Sequence, residues 1–249
     1  MNWRIRHKVE TVSTNLDARE GVHGDVFTAD YQTAGRGRLD HKWLSPPGTN
    51  LMMSVVLSVE GLAPEQVATL PLVVGLAVTW ALNGQEARSP GWGAGSGERA
   101  SCPFAILKWP NDVLVGGKKI AGILCERNGD NVIAGIGVNV GQTEFPIEIL
   151  ERATSLALNG RDARSPGEVR DTILDELDKL YGIWRESGFA AVYSEIAAVD
   201  FLKGREIAVR QTDDDSAPVS GVSNGIMPDG SLDVGGVKVY AGEAHVERI

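Results

Sequence analysis

The chain has 249 residues, 43% hydrophobic and 23% charged, the profile of a globular protein with room for one large domain or a medium and a small one. Its formal net charge of −9 argues against broad nucleic-acid affinity, which relies on an excess of cations, so no nucleic-acid partner is expected. No apolar run reaches the roughly 18 residues of a membrane span, and the start Met-Asn-Trp-Arg-Ile-Arg-His-Lys lacks the apolar core of a secretory signal. Two cysteines, Cys102 and Cys125, allow at most one disulfide; with the missing signal they predict free thiols in the cytoplasm. The four histidines (His7, His23, His41, His245) lack the spacing of a zinc site.

Residues 4–10 read as a short strand, after which Ser13, Thr14 or Asn15 is placed to cap a short helix through about residue 19. A strand over 26–31 leads into the most informative stretch, Tyr31-Gln-Thr-Ala-Gly-Arg-Gly-Arg-Leu-Asp-His-Lys-Trp43. Gly35 and Gly37 let the backbone bend and bring its N–H groups close to a ligand. Arg36 and Arg38 add planar charged forks suited to carboxylate and phosphate oxygens. Asp40 stands where a dinucleotide fingerprint needs its third glycine, and there is no Gly-Lys-Ser/Thr triplet for a P-loop. The loop reads as one that closes over an anion held by neither of those folds; the plainer reading is a solvated turn with incidental arginines.

Residues 50–59 are apolar nearly throughout, a buried strand. Pro64 opens a core helix to about residue 82, kinked or restarted at Pro71. The Gly/Ser/Pro-rich stretch 83–102 reads as a surface loop. Strands at 106–115 and 118–126 flank the Gly116-Gly117 turn of a hairpin, and Pro110 forces a bend at 109–112. A strand at 132–140 carries Gly135 and Gly137, which mark close approach of a ligand or another backbone; its edge is also where a second copy would pair, although a monomer is equally admissible. Val169, Ile173, Leu177, Leu180 and Trp184 recur at helical spacing over 167–188, and a second short helix follows at 189–199. Strands at 207–211, 219–226, 231–234 and 237–240 then form a small β-barrel or sandwich beyond a boundary near 202–204. The fold class is α+β, with domains at 1–202 and 203–249.

Several segments, in order and spacing, resemble the biotin protein ligase family: Ser13-Thr14-Asn15; Gly35-Arg36-Gly37-Arg38 with Gln32 and Trp43; Lys108-Trp109-Pro110-Asn111-Asp112; and Lys119-Ile120-Ala121-Gly122-Ile123-Leu124. Gly135 to Asn139 and Ala241-Gly242-Glu243 add to the match. The resemblance implies a catalytic domain similar to class II aminoacyl-tRNA synthetases, followed by an SH3-like barrel. It implies ATP-dependent activation of biotin as biotinyl-5′-AMP, with Mg²⁺, and transfer to a lysine of the biotin carboxyl carrier domain of an acetyl-CoA or acyl-CoA carboxylase. Lys119, Arg36 and Arg38 would then be catalytic. Ser13, Thr14, Asn15, Gln32, Gly35, Gly37, Gly122 and Gly135 would join them around biotin. Arg38, Trp43, Lys108, Asn111 and Asn139 would meet ATP or the adenylate, and Asp112 would neighbour Mg²⁺. The loop departs from the family at Asp40, where many members carry glycine, and 83–102 reads as an insertion. Twelve residues precede Ser13, which leaves no room for the helix-turn-helix of members that repress transcription. A lipoate-type or octanoyl transferase with Cys125 as nucleophile, and a non-catalytic biotin binder, are the competing readings.

Overall fold

A computed structural model gives the structure, describing residues 1–39, 41–84, 103–161, 164–211 and 217–246. Asp40, Cys102 and all but the first two residues of the 83–102 insertion lie outside the described residues, so the expectations attached to them do too.

The chain runs β1 (Arg4–Thr11), α1 (Thr14–Asp17), β2 (Asp25–Gln32), β3 (Leu51–Ser58), α2 (Pro64–Ala68), α3 (Leu70–Asn83), β4 (Ile106–Lys108), β5 (Asp112–Val115), β6 (Lys118–Asn128) and β7 (Asn131–Val138). After these come α4 (Pro166–Ser187), α5 (Tyr193–Ala198), β8 (Glu206–Arg210), β9 (Val219–Ile226), β10 (Leu232–Val234), β11 (Val237–Val239) and β12 (Glu243–Val246). The first seven strands make one sheet in the order β1-β2-β3-β7-β6-β5-β4, parallel only between β1 and β2. The last five make a second, antiparallel sheet in the order β11-β10-β9-β8-β12. The 203–249 barrel reading counted four strands; β12, paired with β8, was missed.

Strand alternation splits the large sheet into two chemically different faces. Leu51, Met53, Val55 and Leu57 of β3, Ala121 and Ile123 of β6, and Val132, Ala134, Ile136 and Val138 of β7 enter the main core, with α3 and α4 packed beside them. The intervening residues, Met52, Ser54, Gly122, Leu124, Gly135 and Gly137, face the other way, toward α1. The site is built on that face. Within Pro64 to Asn83 an 18-residue stretch has a mean hydropathy of 1.5, enough by composition to cross a membrane, but 67% of that stretch is buried in the central core helices. Pro71 sits in the first turn of α3, so the chain restarts a helix there, as the sequence anticipated.

One expectation is corrected. The strand at 132–140 does not offer an edge: β7 lies between β3 and β6, hydrogen-bonded on both sides. Four apolar side chains on one face and glycines on the other are the composition of a central strand. At the β4 end, Leu107 N–H donates to Val199 O at 2.9 Å and Phe201 N–H to Leu107 O at 2.8 Å, so the chain leading to the second sheet covers that margin.

The C-terminal sheet is tied to the first at points close to the site. Trp109 Nε1 donates to Gly230 O at 3.1 Å, and Asp200 accepts from Leu202 N–H at 2.9 Å and Ile226 N–H at 2.8 Å. The turn that presents Gly230 is organised by Asp229, which accepts from the Ser231 hydroxyl at 2.5 Å and from Lys238 Nζ at 2.6 Å. Partial burial would raise the Asp229 carboxyl, but the Lys238 ammonium and the Ser231 hydroxyl and amide outweigh it and bring it down from 3.8 to about 2. A depressed carboxylate stabilises the fold fully above its unfolded value, and that contribution fades as pH falls through the folded value. Asp229→Asn should therefore melt below the wild type by a constant margin above about pH 5, a margin that closes toward pH 2. Thermal melts of both proteins across that range check this; a margin independent of pH would contradict it.

Candidate active site

Cross-strand register lays two rows over the site face. In the first, Met52 of β3 lies opposite Gly137 of β7, Gly137 opposite Gly122 of β6, Gly122 opposite Asp112 of β5, and Asp112 opposite Lys108 of β4. In the second, Ser54 lies opposite Gly135 and Gly135 opposite Leu124. The missing side chains at the centre leave a trough, and two other residues lie in it. A Cβ at Gly137 would stand 2.5 Å from the Trp43 indole, and a Cβ at Gly135 would stand 2.2 Å from Asn15 Oδ1. No side chain fits either position without displacing what rests there.

Lys119 reaches this face because of an irregularity. The register of β5 with β6 shifts by one between Val113 and Leu114, leaving Ile120 as the extra residue on β6. Strict alternation would put Ile120 on the face of Gly122; instead Ile120 is fully buried in the main core, and Lys119 turns toward the site. A bulge re-aims one side chain in this way. The backbone around it is clamped, with Lys119 N–H donating to Arg152 O at 2.7 Å and Lys119 O accepting from Thr154 N–H at 2.9 Å. Lys119 Nζ stands 2.7 Å from Asp112 Oδ1 in an ion contact that is not aligned as a hydrogen bond, and 5.9 Å from the Trp43 ring centroid.

The glycine–arginine loop forms a hairpin over the trough. Trp43 N–H donates to Gly35 O at 3.0 Å, Gly37 N–H to His41 O at 2.6 Å and His41 N–H to Arg38 O at 3.0 Å. Arg36 extends to Glu126, with Nη2 at 2.9 and 2.7 Å from its two carboxylate oxygens. Arg38 Nη1 lies 3.1 Å from Asn111 Oδ1 and 3.3 Å from Gly242 O, so the second arginine bridges the two sheets. Trp43 Nε1 is buried without an acceptor, a donor that an incoming polar group can satisfy.

Beneath the hairpin, Ser13, Thr14, Asn15, Gln32, Arg36, Gly37, Arg38, Trp43, Asn111, Lys119, Gly122 and Gly135, all singled out from the sequence, line one cavity. Its volume is about 60 Å³, room for a few waters. Around the hairpin's outer side runs an open cleft of about 1040 Å³, which Gly35 and Tyr240 help to line. The hairpin is thus closed down on the trough, and any larger ligand must lift part of it.

Ser13, Thr14 and Asn15 do not cap a helix through their side chains; α1 starts without a side-chain cap. They are buried instead, and Gln32 Oε1 accepts from Thr14 N–H at 2.8 Å. Asn111 already has both ends of its amide engaged, since Nδ2 donates to Ile123 O at 2.7 Å while Oδ1 meets Arg38. Asn139, expected at the nucleotide, is buried beside the bulge of β6: its N–H donates to Ile120 O at 2.8 Å and its Nδ2 to Thr154 O at 2.9 Å, and the residue lines neither cavity. Its amide steadies the segment that clamps Lys119. Lys108 also lines neither cavity; burial and then the repulsion of Lys119 lower its pKa, against the pull of Asp112 and Glu243. Among the described residues no cluster of three or more His, Cys, Asp or Glu side chains can hold a metal. Asp112 faces the site with Lys119 as its partner. Burial and then the Glu126 charge push the Cys125 thiol up to about 12, so it stays protonated at neutral pH.

Sequence reasoning missed Ser54 and Glu126. Ser54 is a polar residue in the middle of the apolar strand Leu-Met-Met-Ser-Val-Val-Leu-Ser, and that contrast was its signal. Glu126 follows Gly122 and Leu124 at two-residue spacing, which places it on the same face.

Cations held against acids beneath a closed hairpin make this a domain for bringing anionic reactants together. Residues 4–142 match the biotin/lipoate A/B protein ligase family, and the chain belongs to that family. It is 33% identical to the biotin–[acetyl-CoA-carboxylase] ligase of Mycobacterium tuberculosis, over 97% of this chain and 88% of that one. It is 32% identical to the bifunctional ligase/repressor BirA of Bacillus subtilis, over 76% of this chain and 55% of the relative, so it spans about half the length of that protein. The structure resembles the biotin protein ligase from Aquifex aeolicus in complex with biotin and ATP, with a TM-score of 0.80, 29% identity and 99% of both chains covered.

The trough predicts a steric test. Gly137→Ala should drive the Trp43 indole off the sheet, lower unfolding stability by about 1–3 kcal/mol and speed amide exchange in the hairpin. Denaturant melts and hydrogen exchange read both effects; wild-type values in both would contradict the packing described.

Proposed function

We propose that the protein is an ATP-dependent ligase that joins biotin to AMP and then passes the biotinyl group to a lysine of the biotin carboxyl carrier domain of an acyl-CoA carboxylase. The observation that carries this reading is that Lys119 and Arg36, 83 residues apart in the sequence, line one cavity with Arg38. The first step brings a carboxylate and a triphosphate together, and their repulsion needs fixed cations nearby.

In this reading biotin's bicycle lies in the trough over Gly122, Gly135 and Gly137. Thr14, Asn15 and Gln32 are placed to meet the ureido group, and the wall of Met52 and Leu124 takes its apolar portion. The carboxylate then points toward Lys119. The Lys119 ammonium leaves Asp112 to bridge the biotin carboxylate and the α-phosphate. A carboxylate oxygen attacks the α-phosphorus, the bond to the bridging oxygen of pyrophosphate breaks, and biotinyl-5′-AMP remains. Arg38, facing only neutral carbonyl acceptors among the described residues, is the cation most available to phosphate oxygens. Mg²⁺ would arrive on the ATP phosphates and supply countercharge there; Asp112 is the carboxylate freed once Lys119 has moved, and one carboxylate with phosphate oxygens fits the ion's habits.

The adenylate is a mixed anhydride and must be kept from water until the acceptor arrives. The hairpin from Gly35 to Trp43 serves as its lid. The carrier lysine's neutral amine attacks the biotinyl carbonyl, AMP leaves, and an amide forms. The acidic chain meets that partner through local patches rather than overall attraction, and the cytoplasm is the compartment in which the two would meet. Cys125, a protonated thiol in β6, is poorly suited to the nucleophile's part in a cysteine-dependent acyl transfer.

Pyrophosphate release on mixing the protein with biotin and MgATP tests the reading. Lys119→Ala should reduce that release about 10²–10³-fold with an unchanged melting temperature. Full release by this variant would remove Lys119 from the role given it, and no release by the wild type would overturn the function itself.

A further inference from the structure

The floor of the cavity is linked to the lid by a chain of hydrogen bonds that runs through Glu126. Asn15, 4% exposed, places Nδ2 2.6 Å from Glu126 Oε2 and Oδ1 2.6 Å from Ser54 Oγ. Ser54 Oγ also lies 2.8 Å from Thr14 Oγ1, and Glu126 holds Arg36 of the hairpin. An ionised carboxylate can only accept, so the Asn15 amide must turn its NH₂ toward Glu126. Its oxygen then faces Ser54 and must receive a proton, which commits the single Ser54 hydroxyl hydrogen to Asn15. The Thr14 hydroxyl then receives no proton from Ser54, and its own hydrogen faces two acceptors, Ser54 Oγ and Gln32 Oε1 at 3.2 Å. One charge thus orders the donors and acceptors from Glu126 through Asn15 to Ser54. The same carboxylate anchors the lid's first arginine.

We propose that Glu126 is a positioning residue that sets the hydrogen-bond polarity of the biotin pocket and latches the hairpin through Arg36. The inference rests on the functional reading for the identity of the ligand, but the latch itself is a property of the free protein. Loosening it should free the hairpin without unfolding the sheet, because the carboxylate and the guanidinium are both partly exposed, at 29% and 39%.

Glu126→Gln keeps the volume and an acceptor for Asn15 but offers Arg36 no charge. Hydrogen exchange of the ligand-free protein should show the amides of Gly37, His41 and Trp43 exchanging about tenfold faster, with strand amides of β3 and β7 and the melting temperature unchanged. Biotin titrated by calorimetry should bind about tenfold more weakly, while ATP affinity stays at the wild-type value. Asn15→Asp places two acceptors face to face and should weaken biotin further. Combining it with Glu126→Gln restores one donor between them, so the double variant should bind biotin better than Asn15→Asp alone. Wild-type hairpin exchange in Glu126→Gln, or faster exchange spread through the whole sheet with a lower melting temperature, would overturn the proposal. A wild type that releases no pyrophosphate would sink the ligase reading instead, and the ligand-free exchange would still decide the latch.

Discussion

Three glycines at the centre of a seven-stranded sheet are the constraint from which the site follows. Gly122, Gly135 and Gly137 strip the side chains from the middle of one face, while the opposite face of the same strands is filled by Ala121, Ile123, Ala134, Ile136 and Val138. The sheet can therefore be rigid and apolar on the helix side and hollow on the other. Asn15 and Trp43 lie in the hollow, and any side chain added at Gly135 or Gly137 meets them well inside van der Waals contact. A pocket made by omission in central strands holds its shape better than one made by a loop, because hydrogen bonds on both sides of β7 fix its floor.

Around that floor the cations are held in reserve. Arg36 is paired with Glu126 and Lys119 with Asp112, while Arg38 leans on neutral carbonyls. Partly exposed ion pairs of this kind are each worth about 1 kcal/mol or less. That is strong enough to keep like charges apart in the ligand-free protein. It is weak enough for a carboxylate or a phosphate to compete, since those ligands bring charge-assisted bonds of their own. The second sheet takes part through Gly242 beside Arg38 and Gly230 beside Trp109, so its position bears on the same loop and strands.

Much of this was legible in the sequence, for physical reasons that differ by element. The Gly116-Gly117 hairpin, the core helices restarted at Pro71, and the long helix read over 167–188 each carry their own turn, breaker or apolar periodicity; the Ser165 cap that starts that helix was shown by the structure. The residues lining the cavity were legible because glycines and cations cluster in words of unusual composition. Sheet order was not, because period-two alternation says which residues share a face but not which strands are neighbours; hence β7 was read as an edge. The bulge that turns Lys119 inward leaves no mark on composition, and neither does the burial of Asn139 beside it. Ser13, Thr14 and Asn15 looked like cap residues because the same short polar side chains serve both purposes; only the tertiary partners Gln32, Ser54 and Glu126 decide between them.

A crystal structure with biotin and a non-hydrolysable ATP analogue bound together addresses the central claim directly. The account predicts both ligands on the glycine face, with the biotin carboxylate and the α-phosphate each within hydrogen-bond reach of Lys119 Nζ and with Asp112 released from it. Ligands bound in the outer cleft, with Lys119 still against Asp112 and Trp43 still flat on Gly137, would contradict it.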